Sequence, residues 1–200
     1  MMRNIKRSLA LSAVVAKKIM TNDPAKLEEL KDRLKSRLEL PAGWHMVGLP
    51  LISSMILAVV SFAFPQPFLW LAFFSWLGMP KYAVMAAVVP VSLLYSFITV
   101  TAMVFISRGF LLAIKIYLGM IALTVLVAAL FFLTAFIPAL FGAERHLWFV
   151  ISSLLGLILS GCSVKCMNSD MFFRTNALYL HNRVWRKQLN IQRQSLSVVK

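Results

Sequence analysis

Hydrophobic positions in this chain occur in long uninterrupted runs. Residues 40 to 80, 82 to 107, 116 to 143 and 147 to 164 contain no Asp, Glu, Lys or Arg. Crossing about 30 Å of hydrocarbon takes roughly 20 apolar residues, and the backbone inside it must satisfy its own polar groups as helix or closed barrel. Barrel strands are about 10 residues of alternating polarity, whereas Leu111 to Leu140 is apolar almost throughout. The pattern predicts an all-α integral membrane protein with four transmembrane helices, over about 46–64, 82–106, 116–140 and 147–164.

The connections follow from the breakers. Trp44 and His45 mark the entrance to the first span, and Pro65-Gln66-Pro67 closes it. The aromatic segment 68–79 is too short to cross alone and is expected to be an interfacial or re-entrant helix. Pro90 removes one ladder hydrogen bond from the second span and is the expected site of a kink. Ser107-Arg108-Gly109 forms the next turn. Pro138 and Gly142 end the third span, and Glu144, Arg145 and His146 connect it to the fourth.

Outside the spans the periodicity becomes amphipathic. Residues 23–38 carry Leu27, Leu30, Leu34 and Leu38 on one stripe, with Asp23 as the cap and Pro24 in the first position. The stripe must pack on another subunit, on the C-terminal tail or on the membrane surface. Residues 1–20 place Arg3, Lys6, Arg7, Lys17 and Lys18 around a short apolar run. We read them as a basic amphipathic helix at the inner membrane surface; a cleaved signal peptide or a start at Met20 are the alternatives. Over 171–190, Phe173, Ala177, Leu180 and Val184 form a further stripe beside Arg174, Arg183, Arg186 and Lys187, with Asn168, Ser169 or Asp170 as the cap. This tail is expected to lie on anionic lipid or to dock a cytosolic protein, through Phe173, Leu180, Val184, Arg183, Arg186 and Lys187. The organisation is therefore a basic N-terminal region over 1–40, a membrane domain over 41–164 and a basic amphipathic tail over 165–200.

Charge settles the orientation. The net charge is +14, and ten of the 21 Lys and Arg precede Leu40 while seven follow Val164. With Arg108 and Lys115 in the middle loop, only Lys81 and Arg145 fall on the opposite side, the asymmetry expected of cytoplasmic termini in a bacterial inner membrane. Nucleic acid is not an expected partner, because the basic tails offer no folded aromatic surface.

Candidate chemistry is sparse. No Asp, Glu, Lys, Arg or His lies within the four spans, and the hydroxyls there (Ser53, Ser54, Ser61, Ser92, Ser96, Thr99, Thr101, Thr124, Thr134, Ser152, Ser153 and Ser160) suit helix-to-helix contact. Cys162 and Cys166 lack further ligands for a metal. No catalytic group, cofactor or metal is expected. The best spacing is Ser152, Gly156 and Ser160, a small-residue row that lets helices approach closely within the chain or between the subunits of a homo-oligomer. The expected function is a non-enzymatic anchor, sensor or assembly subunit of a multi-protein membrane system, such as secretion, conjugation, immunity, exclusion or phage defence. The alternative is an oligomeric channel or small-solute transporter lined by Ser92, Ser96 and Thr99.

The charge asymmetry yields the first prediction. A reporter active only in the cytoplasm should be bright when fused after Lys200, and a periplasm-active one silent. The reverse pattern would require an odd number of crossings.

Overall fold

The computed structural model describes residues 2–21, 23–38, 48–140 and 147–198. These form eight α-helices and no strand: α1 (Arg3–Lys18), α2 (Pro24–Lys35), α3 (Leu49–Ala63), α4 (Gln66–Trp76), α5 (Val84–Ser107), α6 (Leu111–Leu140), α7 (Leu147–Met167) and α8 (Asp170–Val198), with a 3-10 turn at Lys81–Ala83 before α5. Four stretches are long and apolar enough to cross a membrane: Leu49–Trp76, Lys81–Ser107, Leu111–Ile137 and Trp148–Met167.

The first of these departs from the expected boundary. Alone, α3 has 15 residues, about 22 Å at 1.5 Å per residue, short of the hydrocarbon thickness. The stretch that suffices by length runs on through α4 to Trp76. Pro65 and Pro67 break the ladder between the two helices only over Phe64 and Pro65. The helix over the segment expected at the interface starts at Gln66, and its first turn is packed: the Phe68 ring stacks on Phe131 at 5.3 Å and meets Phe149 edge-on at 5.0 Å, while most residues from Leu69 to Met79 are exposed. The other boundaries shift less. The third helix begins at Leu111, so Lys115 is an exposed residue of α6, and it continues through Pro138 to Leu140. The tail helix extends to Val198. Trp44 and His45, Gly142, and the connection of Glu144, Arg145 and His146 lie outside the described residues.

The chain divides into two compact units, one of Met1–Ile52, Ala102–Ile116 and Cys166–Lys200, the other of Ser53–Thr101 and Tyr117–Lys165. In the first, α1, α2 and α8 share a core of Val15, Ile19, Leu27, Leu30, Leu34, Leu180 and Val184, with Leu11 and Ile191 packed against it. Local signals shape its helices. Asp23 has extended backbone and accepts a hydrogen bond from the Ala25 amide at 3.0 Å, and Ser169 Oγ accepts from the Phe172 amide at 3.0 Å to start α8. Met2 supplies no side-chain cap to α1. Its first-turn amides, Asn4 and Ile5, donate instead to Asn168 Oδ1 at 3.1 and 3.3 Å.

The same sequence offset of 164 recurs where Asn176 Nδ2 donates to Ser12 Oγ. A constant offset makes α1 and α8 parallel neighbours. Asn176 also donates to the Ser8 carbonyl at 3.2 Å, so α8 answers the Ser12 hydroxyl and the Ser8 carbonyl of α1, while the buried Ser8 hydroxyl has no hydrogen-bond partner among the described residues. Further along, Val15 and Ile19 continue the face into the apolar core. Glu28 joins the rim: its carboxylate pairs with Lys31 and accepts from Gln188, and these contacts, Lys31 first, hold its pKa below the ordinary carboxylate value.

In the second unit α3 contacts three helices. The rings of Phe62 and Tyr95 (α5) stack at 4.0 Å. Tyr117 of α6 donates to Ser54 Oγ at 3.0 Å, and Ser54 and Ser61 bond to α7.

Leu180 is fully buried at the centre of the first unit's core. Leu180→Ala should remove about 2–5 kcal/mol, read as faster amide exchange throughout α1 and α2 in detergent-solubilised protein. Unchanged protection of α2 would show that its stripe does not depend on α8.

Candidate functional site

The tail residues singled out from the sequence divide into two groups. Phe173, Leu180 and Val184 are buried, Leu180 and Val184 within the core shared with α1 and α2, and Phe173 beneath the Arg7 guanidinium at 4.4 Å. This corrects the expectation that the stripe faces lipid or a partner: two helices of the same chain already cover it. The stripe of α2 has the same explanation, with Leu38 half-buried beyond the helix end.

The cationic residues face a different neighbour, the α5–α6 turn. Arg183 Nη1 donates to the Gly109 carbonyl at 2.8 Å, and Arg186 Nη2 to the Arg108 carbonyl at 3.3 Å. Carbonyls just beyond α5 lack helical donors and carry the negative end of its dipole, so guanidinium groups from α8 cap it. Gly109 is required there: its φ is +83°, and a Cβ would lie 3.2 Å from the Tyr179 carbonyl oxygen and 3.2 Å from Arg183 Cδ. The Arg183 guanidinium also stacks over Phe110 at 4.6 Å. Burial first, and then the charge of Arg186, hold the Arg183 pKa below its ordinary value. Arg108, Arg183, Arg186 and Lys187 together line a cavity of about 510 Å³. The contribution of the middle loop was not legible in advance; the only sequence signal was an Arg-Gly pair between two apolar runs.

On α7, the buried small residues are Ser153, Gly156, Ser160 and Ser163, with Ser152 at the edge. The face thus follows spacings of three and four instead of the strict four of Ser152, Gly156 and Ser160. It is filled within the chain. Ser61 Oγ donates to the Gly156 carbonyl at 2.7 Å, and a Cβ on Gly156 would meet the Ser61 carbonyl oxygen at 3.8 Å and Phe64 Cβ at 3.9 Å. That carbonyl has lost its helical donor to Pro65. Two turns further along α7, Ser54 and Ser163 each donate to the other's carbonyl, at 3.1 and 2.9 Å, with their hydroxyls 2.9 Å apart. A close approach serves one neighbour, and within this chain α3 occupies it.

Pro90 lies inside α5 with an exposed side chain. Of the three hydroxyls expected to line a path, Ser92 and Ser96 are half-buried, and Thr99 is buried with its hydroxyl on the Tyr95 carbonyl at 2.7 Å. Cys162 is exposed and Cys166 half-buried, and neither forms a disulfide among the described residues. Among the described residues no group of three or more His, Cys, Asp or Glu is placed to hold a metal ion. Comparison with protein families, curated proteins and solved structures finds no match. The functional reading therefore rests on these residues alone.

The α3–α7 contact separates two substitutions at one position. Gly156→Ala should be tolerated, since its Cβ would sit at ordinary contact distance. Gly156→Leu adds carbons that must displace Ser61 or Phe64, and overpacking costs about 1–3 kcal/mol. Thermal unfolding in mild detergent should show a lower Tm for the leucine variant alone; equal Tm values for both would mean the face is not closely packed.

Proposed function

We propose that this chain is a non-enzymatic multi-pass protein of a bacterial inner membrane that anchors or assembles a multi-protein system, with its terminal helices folded into a cytoplasmic docking module. The observation that carries this reading is the common unit formed by both tails and the α5–α6 turn. Asn168 caps α1, α8 buries the stripe of α2, and Arg183 and Arg186 bind the 108–110 turn. Three segments in contact lie on one side of a membrane. Parity then requires an even number of crossings between the N-terminal helices and that turn, and again between the turn and α8. Two apolar stretches precede the turn and two follow it, and the positive-inside rule assigns the shared side to the cytoplasm.

A docking role is supported by what the module leaves outside. Its apolar stripes are used internally, while Trp185, next to Arg186 in sequence, stays half exposed in a groove that it shares with Glu28, Lys31, Asp32 and Lys35 of the α2 region. An exposed tryptophan with arginine neighbours is the composition of a protein-binding hot spot. Secretion, conjugation, immunity, exclusion and phage-defence systems all use membrane subunits of this kind.

A photoreactive residue in place of Trp185 should crosslink in cells to one discrete protein species, and the adduct should disappear when α1 is destabilised. Adducts to lipid only, accompanied by ion flux through liposomes of the purified chain, would favour the channel reading instead.

A further inference from the structure

The cavity between α8 and the α5–α6 turn concentrates positive charge. Four cations line it, Arg108, Arg183, Arg186 and Lys187, and among the described residues no carboxylate does. The ion pairs among the described residues are Lys26–Asp23, Lys31–Glu28, Arg33–Glu29 and Arg174–Asp170, all local pairs within one helix or its cap and none at this cavity. The hydrogen bonds of Arg183 and Arg186 across to the turn go to neutral carbonyls. A guanidinium carries five donors, so bonds to one or two carbonyls leave most of each fork for another acceptor.

Geometry narrows the acceptor. Arg183 is held in place by the Gly109 carbonyl and by the face of Phe110, which fixes the plane of its fork before any ligand arrives. Planar guanidinium forks match the oxygens of phosphate two at a time, and a lysine adds a point charge. A volume of about 510 Å³ exceeds a bare phosphate group, and Ile19 and Met20 complete the wall with apolar surface. A charged floor with an apolar flank suits a phosphate that carries an apolar substituent.

We propose that this cavity binds a phosphate group, with Arg183 and Arg186 as its hydrogen-bonding forks and Arg108 and Lys187 as supporting charges. Anionic phospholipid headgroups and free phosphates share this chemistry. The site goes beyond the assembly role, because its occupancy is measurable on the purified chain with no partner present.

The test uses the full chain in neutral detergent at fixed ionic strength, with phosphatidylglycerol, phosphatidylcholine and inorganic phosphate as separate probes, read by native mass spectrometry and by Tm. Phosphatidylglycerol should remain bound and raise Tm, and phosphatidylcholine should do neither. The double variant Arg108→Gln with Lys187→Gln should bind phosphatidylglycerol roughly thirtyfold more weakly, as loss of two surface charges near an anion implies. Neither side chain makes a hydrogen bond that the fold uses among the described residues. If the double variant loses helicity, Lys187→Gln alone carries the test, with about a fivefold loss expected. A Tm rise with inorganic phosphate, absent in the variant, assigns the site to free phosphates; a response to phosphatidylglycerol alone assigns it to lipid. Equal retention of both lipids, or wild-type affinity in the variant, would overturn the proposal.

Discussion

Isolated helices shorter than about 12–15 residues are marginal in water, and α2 has twelve, so it persists as a helix through the burial of Leu27, Leu30 and Leu34 against α8. The same face of α8 determines the rest of the terminal unit. Its first turns carry Asn176 to the serines of α1, and the preceding Asn168 caps that helix from across the chain. Its outer edge presents Arg183 and Arg186 to the 108–110 turn. One helix thus organises three segments far apart in sequence, and loss of its core contacts would release all of them together.

The apolar helices obey a different constraint. Hydrocarbon offers no water to a hydroxyl, which favours bonds to its own helix or across to another. Thr99, Thr124, Ser153 and Ser160 return to carbonyls three or four residues back. Ser54, Ser61 and Ser163 cross between α3 and α7 instead. Interhelical bonds of this type contribute only about 0.6 kcal/mol each on average. Their value here lies in register, because the reciprocal Ser54–Ser163 pair forms at one relative position of the two helices.

Charge connects the fold to the proposed role. The acidic residues of the described pairs are spent on neighbours within one turn of sequence, which leaves the cations of α8 to the carbonyls of the turn and to whatever anion enters the cavity. Such a surface is suited to a phosphate-rich boundary, and the half-exposed Trp185, which lines a separate groove with residues of α2, offers an aromatic anchor for a protein.

Run length and composition alone determined the all-helical class, the four apolar stretches and the amphipathic stripes, because a span must be long and uncharged whatever surrounds it and a stripe follows from local periodicity. Asp23 was legible as a cap, and Ser169 as one of three candidates with Asn168 and Asp170, for the same reason: a cap acts within three residues. Tertiary structure alone decided what covers each stripe, since Leu27, Leu180 and Val15 announce only that each must be buried. It decided that Gly156 meets α3, and that α4 packs through Phe68 onto α6 and α7. It also brought Arg108 to Arg183 across 75 positions of chain (183 − 108). Pairings of this kind depend on which surfaces meet in space, and hydropathy, which scores each residue against solvent, carries no information about that choice.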